Sequence, residues 1–137
     1  MSQNNNYFED WPVVSVYSRS DALKDGVLID VSEQARECGF KFPVAITRTV
    51  WSNWIEASSE LQEYGQTTEG RLWDVLNVLF FTIRKLGQNS DTSRIKLRVH
   101  FLMNAEENHY AEVELIAVCH PGDHGEPVLT IMVEEDK

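Results

Sequence analysis

The spacing of apolar residues changes along this chain, and each change of period marks a change of element. Pro12-Val13-Val14-Ser15-Val16-Tyr17 reads as a short edge strand, with the proline at its first residue where a missing donor matters least. Ser20 then caps a brief helix through Ala22 and Leu23 that Gly26 stops, and Val27-Leu28-Ile29-Asp30-Val31 is a continuous apolar run of strand length. Ser32 caps a second short helix through Cys38, which Gly39 ends. After Phe42-Pro43-Val44-Ala45, Thr47 opens a helix in which Val50, Trp51, Trp54 and Ile55 form one apolar stripe, so both tryptophans are expected to anchor the core. Residues 58–66 read as a linker. Thr67 or Thr68 starts the longest helix, with Leu72, Val75, Leu76, Leu79, Phe80 and Ile83 on its buried face, Arg84 and Lys85 at its carboxyl end and Gly87 closing it.

From Arg94 the period is two. Ile95, Leu97, Val99, Phe101 and Met103 point one way, and Arg94, Lys96, Arg98, His100 and Leu102 the other. Tyr110 to Cys119 alternates similarly, with Ala111, Val113, Leu115, Ala117 and Cys119 inward. An antiparallel register that sets Leu97 against Leu115 also sets Arg98 against Glu114 and His100 against Glu112, so apolar and charge criteria choose the same pairing. Val128 to Val133 makes a third strand, placed with Leu129 opposite Ala117 and Ile131 opposite Leu115. The reverse face of that pair carries Ile116, Val118, Val128 and Met132 and needs a cover. The segment from Trp11 to Tyr17 is the simplest one, and a second copy in a homodimer is the next. The expected fold is therefore α+β: a C-terminal antiparallel three-stranded meander extended by short N-terminal strands, with two main helices packed on one face. Residues 1–10, polar and rich in asparagine, are expected to be a disordered tail before a single domain over residues 11–137.

Charge changes this picture more than composition does. The chain has 137 residues and is 42% hydrophobic, which suits one core. Its net charge is −10, yet residues 104–137 carry nine acids against one base, so the last quarter holds −8 of it. A field of that sign repels nucleic acid and anionic lipid and attracts basic protein surfaces. The alternative is that the acids only keep a small protein in solution. No run approaches the roughly 18 to 20 apolar residues of a membrane span, and the asparagine-rich start lacks the features of a signal peptide, so a cytoplasmic location is expected. Cys38 and Cys119 fall in different predicted elements and are expected to be reduced, largely buried thiols.

The loop Pro121-Gly122-Asp123-His124-Gly125-Glu126-Pro127 is the most specified stretch. Gly122 and Gly125 are expected at positive φ, the prolines fix φ and remove two donors, and Asp123 and Glu126 are left to project carboxylates. Cys119-His120-x-x-Asp123-His124 has the composition of a metal cluster, but strand alternation sends Cys119 and His120 to opposite faces, so no metal or other cofactor is expected. Nothing in the sequence desolvates Asp123 or Glu126 for acid–base work, and no catalytic residue is assigned.

Tyr17-Ser18-Arg19-Ser20, the run Asp25-Gly26-Val27-Leu28-Ile29-Asp30-Val31, and the ending Pro121-Gly122-Asp123-x-Gly125-Glu126-Pro127-Val128-x-Thr130-Ile131 together resemble an uncharacterised family of small acidic proteins carried on plasmids, phages and other mobile elements. That resemblance implies a mobile-element setting, in which small acidic proteins often act on host defence or DNA-handling machinery. The first expectation is a non-enzymatic inhibitor or accessory protein, of the kind that acts on restriction or CRISPR-type systems. Glu112, Glu114, Asp123, Glu126, Glu134 and Glu135 would meet a basic protein surface. The second is a protein that binds or sequesters a small ligand or nucleotide, with Tyr17 and Arg19 lining a pocket and Arg19 meeting an anion. A hydrolase using the loop carboxylates comes third.

Overall fold

A computed structural model describes residues 17–86 and 93–134. Five strands form one mixed sheet in the order β1-β2-β5-β4-β3: β1 (Leu28–Asp30), β2 (Val44–Thr47), β3 (Arg94–Asn104), β4 (His109–Pro121) and β5 (Pro127–Met132). β3, β4 and β5 are the expected antiparallel meander, and β1 and β2 extend it. β2 joins β5 in parallel, Val44 beside Leu129 and Ile46 beside Ile131, so an early strand is zipped to the last one.

The sheet keeps its two faces distinct through the period of two. Ile95, Leu97, Val99, Phe101, Leu115, Ala117, Leu129, Ile131, Val44 and Ile46 enter the main core. α2 (Ser32–Cys38), α3 (Arg48–Val50) with the π-helical turn Trp51–Ile55 that continues it, and α5 (Thr68–Leu86) cover that face, contributing Ala35, Val50, Ile55, Leu72, Val75, Leu76 and Leu79. Trp51 and Trp54 pack against this core from partly buried positions. α1 (Arg19–Lys24) lies on the opposite face, where Ala45, Ile116, Val128 and Thr130 are also buried. Of the expected cover, Trp11 to Tyr17, residues 11–16 lie outside the described residues, as do the closing glycine of α5 and the tail.

The β3–β4 register is the expected one, with Leu97 facing Leu115, Arg98 facing Glu114 and His100 facing Glu112. Several local expectations need correction. Leu129 faces Cys119 and Ile131 faces Ala117, two residues from the expected pairing. A shift of two leaves every side chain on its own face, so periodicity cannot detect it, and the tight closure of the loop decides instead. Met103, at the end of the core row where the pairing shifts between Leu102 and Asn104, is 37% exposed, although its Sδ still lies 3.9 Å from Nη2 of the buried Arg71. Ser18, not Ser20, caps α1: its hydroxyl accepts from Asp21 N at 2.9 Å, and the Asp21 carboxylate accepts from Ser18 N in return. Ser32 is the first residue of α2 and not its cap, because its hydroxyl is drawn to Asp30 Oδ1 at 2.6 Å and to Val44 N at 3.0 Å. The expected linker holds another helix, α4 (Ser59–Glu63), capped by Ser58 and anchored by Leu61.

One core member had no apolar signature. Arg71, 3% exposed, donates from Nε to Trp54 O at 2.7 Å and from Nη1 to Leu102 O at 2.9 Å and Gln66 Oε1 at 3.1 Å. Its guanidinium also lies 5.3 Å from the Phe101 ring centroid. Desolvation lowers its pKa from the usual arginine value, with Asp74 opposing. One side chain thus ties the end of the π-helical turn to α5 and β3.

Candidate functional site

The hairpin tip between β4 and β5 is built by its own hydrogen bonds. Gly122 N donates to Glu126 O at 2.6 Å and Gly125 N to Gly122 O at 3.1 Å, immediately beyond the Pro121–Pro127 pair that ends the ladder. Gly125 has the expected positive φ of 83°, but Gly122 does not. Glycine suits 122 for a different reason: a Cβ there would meet Glu126 Oε2 at 2.5 Å, so any larger residue would have to push that side chain aside. The Glu126 carboxylate is folded back over the loop, where Oε1 accepts from His124 N at 2.9 Å.

Asp123 reaches outward instead. Its two oxygens accept from Arg19 N at 2.8 Å and Ser20 N at 3.0 Å, so a residue more than a hundred positions away completes the cap of α1. With Ser18 holding the next amide, the first turn of α1 has no orphan donor. These two amide bonds hold the Asp123 carboxyl below its ordinary 3.8, keeping it ionised at neutral pH and a poor proton donor. The Tyr17–Ser20 segment and the Pro121–Pro127 loop, opposite ends of the sequence pattern, are therefore one structural unit.

Arg19 crosses this unit. Nη1 donates to Thr130 Oγ1 at 2.8 Å and Nη2 to Leu129 O at 3.1 Å. His120 extends the relay, with Nε2 2.9 Å from Thr130 Oγ1 and Nδ1 3.1 Å from Pro121 O. A carbonyl only accepts, which puts the imidazole proton on Nδ1 and leaves Nε2 to accept from the threonine. Burial lowers the Arg19 pKa, while Asp30, Asp123 and Glu126 act to raise it. These three carboxylates surround a hollow of about 280 Å³ with Arg19, Ser20 and His124. Asp30 is itself fixed, accepting from Ser32 N at 3.0 Å. On the other side of Arg19 lies a cleft of about 380 Å³ lined by Tyr17, Leu28, His120, Thr130 and Met132. Tyr17, 57% exposed, donates to Asp25 Oδ2 at 2.7 Å, a bond that raises its pKa ahead of desolvation and the Asp25 and Asp21 charges.

The structure divides the remaining acids named from the sequence. Glu112 lies 3.3 Å from His100 Nε2, Glu114 faces Arg98 across the ladder, and Glu134 lies 3.1 Å from Arg94 Nη2. Those three sit beside arginine or histidine side chains of β3, away from the loop, and Glu135 lies outside the described residues. Of the five that are described, only Asp123 and Glu126 share the tip. The sequence reading missed Asp30 and Thr130 as their neighbours; Ser18-x-x-Asp21 was a readable capping box that marks where α1 starts, but its contact with the tip is long-range and has no local signal. Arg19 is turned inward to the backbone and Thr130, an arrangement unlike an open anion site. Cys119 and His120 do point to opposite faces. Among the described residues, no group of three or more His, Cys, Asp or Glu is arranged to hold a metal ion. Cys38 and Cys119 are free and half-buried, and burial pushes the Cys38 thiol up.

No curated protein and no solved structure matches the chain. A family model does: its description is "Family of unknown function (DUF6573)", and it spans residues 4–137, nearly the whole sequence, so the chain belongs to that family.

Proposed function

We propose that this chain is a non-enzymatic interaction protein whose hairpin tip docks on a cationic protein surface, acting as an inhibitor or accessory factor of a defence or DNA-handling complex. One observation carries the reading: Asp30, Asp123 and Glu126 are each held by neutral backbone amides. Such donors fix a carboxylate in place without cancelling its charge, unlike the arginines beside Glu134 and Glu114. Among the described residues, Arg19 is the only lysine or arginine lining the hollow between them, and two of its donors are engaged by the protein. Charge fixed in this way loses little side-chain entropy on docking. The resemblance to mobile-element proteins supplies the setting.

The test uses Asp30→Asn with Glu126→Gln, which retain an oxygen acceptor for Ser32 N and His124 N while removing both charges. Captured from lysate of the source cells at low salt, a basic partner is expected to elute as salt rises and to be retained weakly by the double variant. Retention that is unchanged in high salt, or equal for the double variant, overturns the proposal.

The cleft beside Arg19 favours a second reading, binding of a small ligand. Its volume lies in the range of small-molecule sites, and Arg19, Thr130 and His120 converge on it. Three carboxylates around Arg19 favour a neutral or cationic ligand over a nucleotide. Under this reading a thermal-shift screen of small amines, nucleosides and nucleotides yields a stabilising compound whose effect is lost in Thr130→Val; the interaction reading yields none.

A further inference from the structure

A second surface, on the helical side of the molecule, has the opposite character. α2 ends at Gly39, and the chain then runs Phe40-Lys41-Phe42-Pro43 into β2, alongside the carboxyl half of α5. Between this connection and α5 lies a groove of about 370 Å³ floored by Phe40, Phe42, Phe80 and Ile83. It continues past Phe42 into a hollow of about 260 Å³ beside Ser32 and Pro43. Gly39 makes the groove possible: a Cβ there would meet Phe80 Cε1 at 2.8 Å, so only glycine lets that ring lie against the backbone. Phe81, 63% exposed, stands beside Phe80 and widens the apolar surface.

The rim is cationic. Arg36, Lys41 and Arg84 line the two hollows and, among the described residues, no carboxylate does, in a chain with 22 acids against 12 bases. Among the described residues the ion pairs are Arg94–Glu134 and His100–Glu112, and none of these three cations takes part. Arg84 instead lies 5.8 Å from the Phe80 ring centroid. An apolar floor with unanswered positive charge at its edge fits one kind of occupant.

We infer that the groove between the Gly39–Pro43 connection and α5 docks an amphipathic segment of another protein, its apolar side chains on the phenylalanine floor and its carboxylates at Arg36, Lys41 and Arg84. Single-stranded nucleic acid fits less well. Phe40 is buried and meets Phe80 edge to face, with ring centroids at 5.5 Å and planes at 76°, and Arg84 occupies a face of Phe80, so neither ring offers an open platform for a base. The net charge of −10 also opposes a polyanion. The part of the groove over Phe80 and Ile83 shares no lining residue with the tip hollow, although the extension past Phe42 meets that hollow at Ser32 and Pro43; the inference rests on Lys41 and Arg84 and stands or falls independently of the reading given to the tip.

Selection of a random displayed-peptide library on the full chain, with Lys41→Glu/Arg84→Glu as the counter-target, tests the inference. Both substitutions are at exposed positions, and circular dichroism of the double variant checks that it folds. The expected winners carry aromatic or aliphatic anchors with acidic neighbours, bind the wild-type chain, and bind the double variant about ten-fold more weakly or worse. Amide shifts of Gly39, Lys41 and Ile83 on titration place them in the groove. Winners that are basic, that lack apolar anchors, or that bind both proteins equally overturn the inference, as does a selection with no groove-dependent enrichment. Displacement of the winners by a single-stranded oligonucleotide assigns the groove to nucleic acid and also overturns it. Self-association of the wild type that Arg84→Glu abolishes makes a second copy the occupant, with the same consequence.

Discussion

Asp123 and Arg71 show two ways in which a single polar side chain organises this molecule. Asp123 is exposed, and its contribution is a cap: both oxygens are committed to the start of α1. Its folded-state pKa lies below the ordinary 3.8, so its contribution to stability is complete above that value and is lost as pH falls through the lower folded-state value. Urea midpoints measured down a pH series are expected to fall steeply in that acid window for the wild type. Asp123→Asn, which keeps one acceptor and no charge, should begin less stable and show a shallower acid decline; parallel curves would refute the capping role. Arg71 is buried, and its donors satisfy carbonyls from two other elements. Arg71→Ala strands those carbonyls and leaves a void, at a cost of about 2 to 4 kcal/mol in chemical denaturation. Arg71→Lys should recover only part of it, because a single ammonium cannot span Trp54 O, Leu102 O and Gln66 together.

At the scale of elements, what could be read beforehand depended on whether a second signal accompanied periodicity. The β3–β4 register was legible because Leu97–Leu115 and Arg98–Glu114 demanded the same alignment. For β4–β5 only the apolar criterion was available, and Ala117 and Cys119 satisfy it equally opposite Ile131 or Leu129. α4 was hidden because one buried leucine, Leu61, gives no period. The parallel β2–β5 pairing lies in no local pattern, since it depends on how the whole chain folds back on itself. The tip was half legible: the motif announced a specified turn, but only the fold reveals that Asp123 faces α1, that Glu126 folds inward and that Asp30 joins them. Gly122→Ala tests the turn directly. Its Cβ must displace the Glu126 carboxylate, the far end of an exposed, flexible side chain, so a loss of about 1 kcal/mol or less with faster hydrogen exchange at Gly125 and His124 is expected. Gly125→Ala, which has free space but a positive φ, should lose stability through backbone strain instead.

Across the whole molecule, negative charge dominates in total but not everywhere. Carboxylates held by amides gather at the hairpin tip, the outer row of β3 answers Glu112, Glu114 and Glu134, and a cationic rim surrounds the phenylalanine groove. A net charge of −10 on 137 residues repels itself, and the exposed pairs Arg94–Glu134 and His100–Glu112 contribute little in return. Moderate sodium chloride at neutral pH should therefore raise the melting temperature, as screened self-repulsion outweighs screened pairs. A melting temperature that falls with salt would show that the ion pairs matter more than the excess charge. No described helix is long and apolar enough to cross a membrane.

The parallel seam between β2 and β5 also sets the order in which the molecule can be assembled. While the chain is still emerging from the ribosome, β1 and β2 can pair with each other, yet the centre of their sheet is missing until residues 127–132 have been made. The same late arrival supplies Thr130 for Arg19 and follows directly on Asp123, which caps α1. Completion of the fold thus waits until β5 has been made, and a nascent chain stalled before β5 would display Val44 and Ile46 along an open strand edge that chaperones would have to shield.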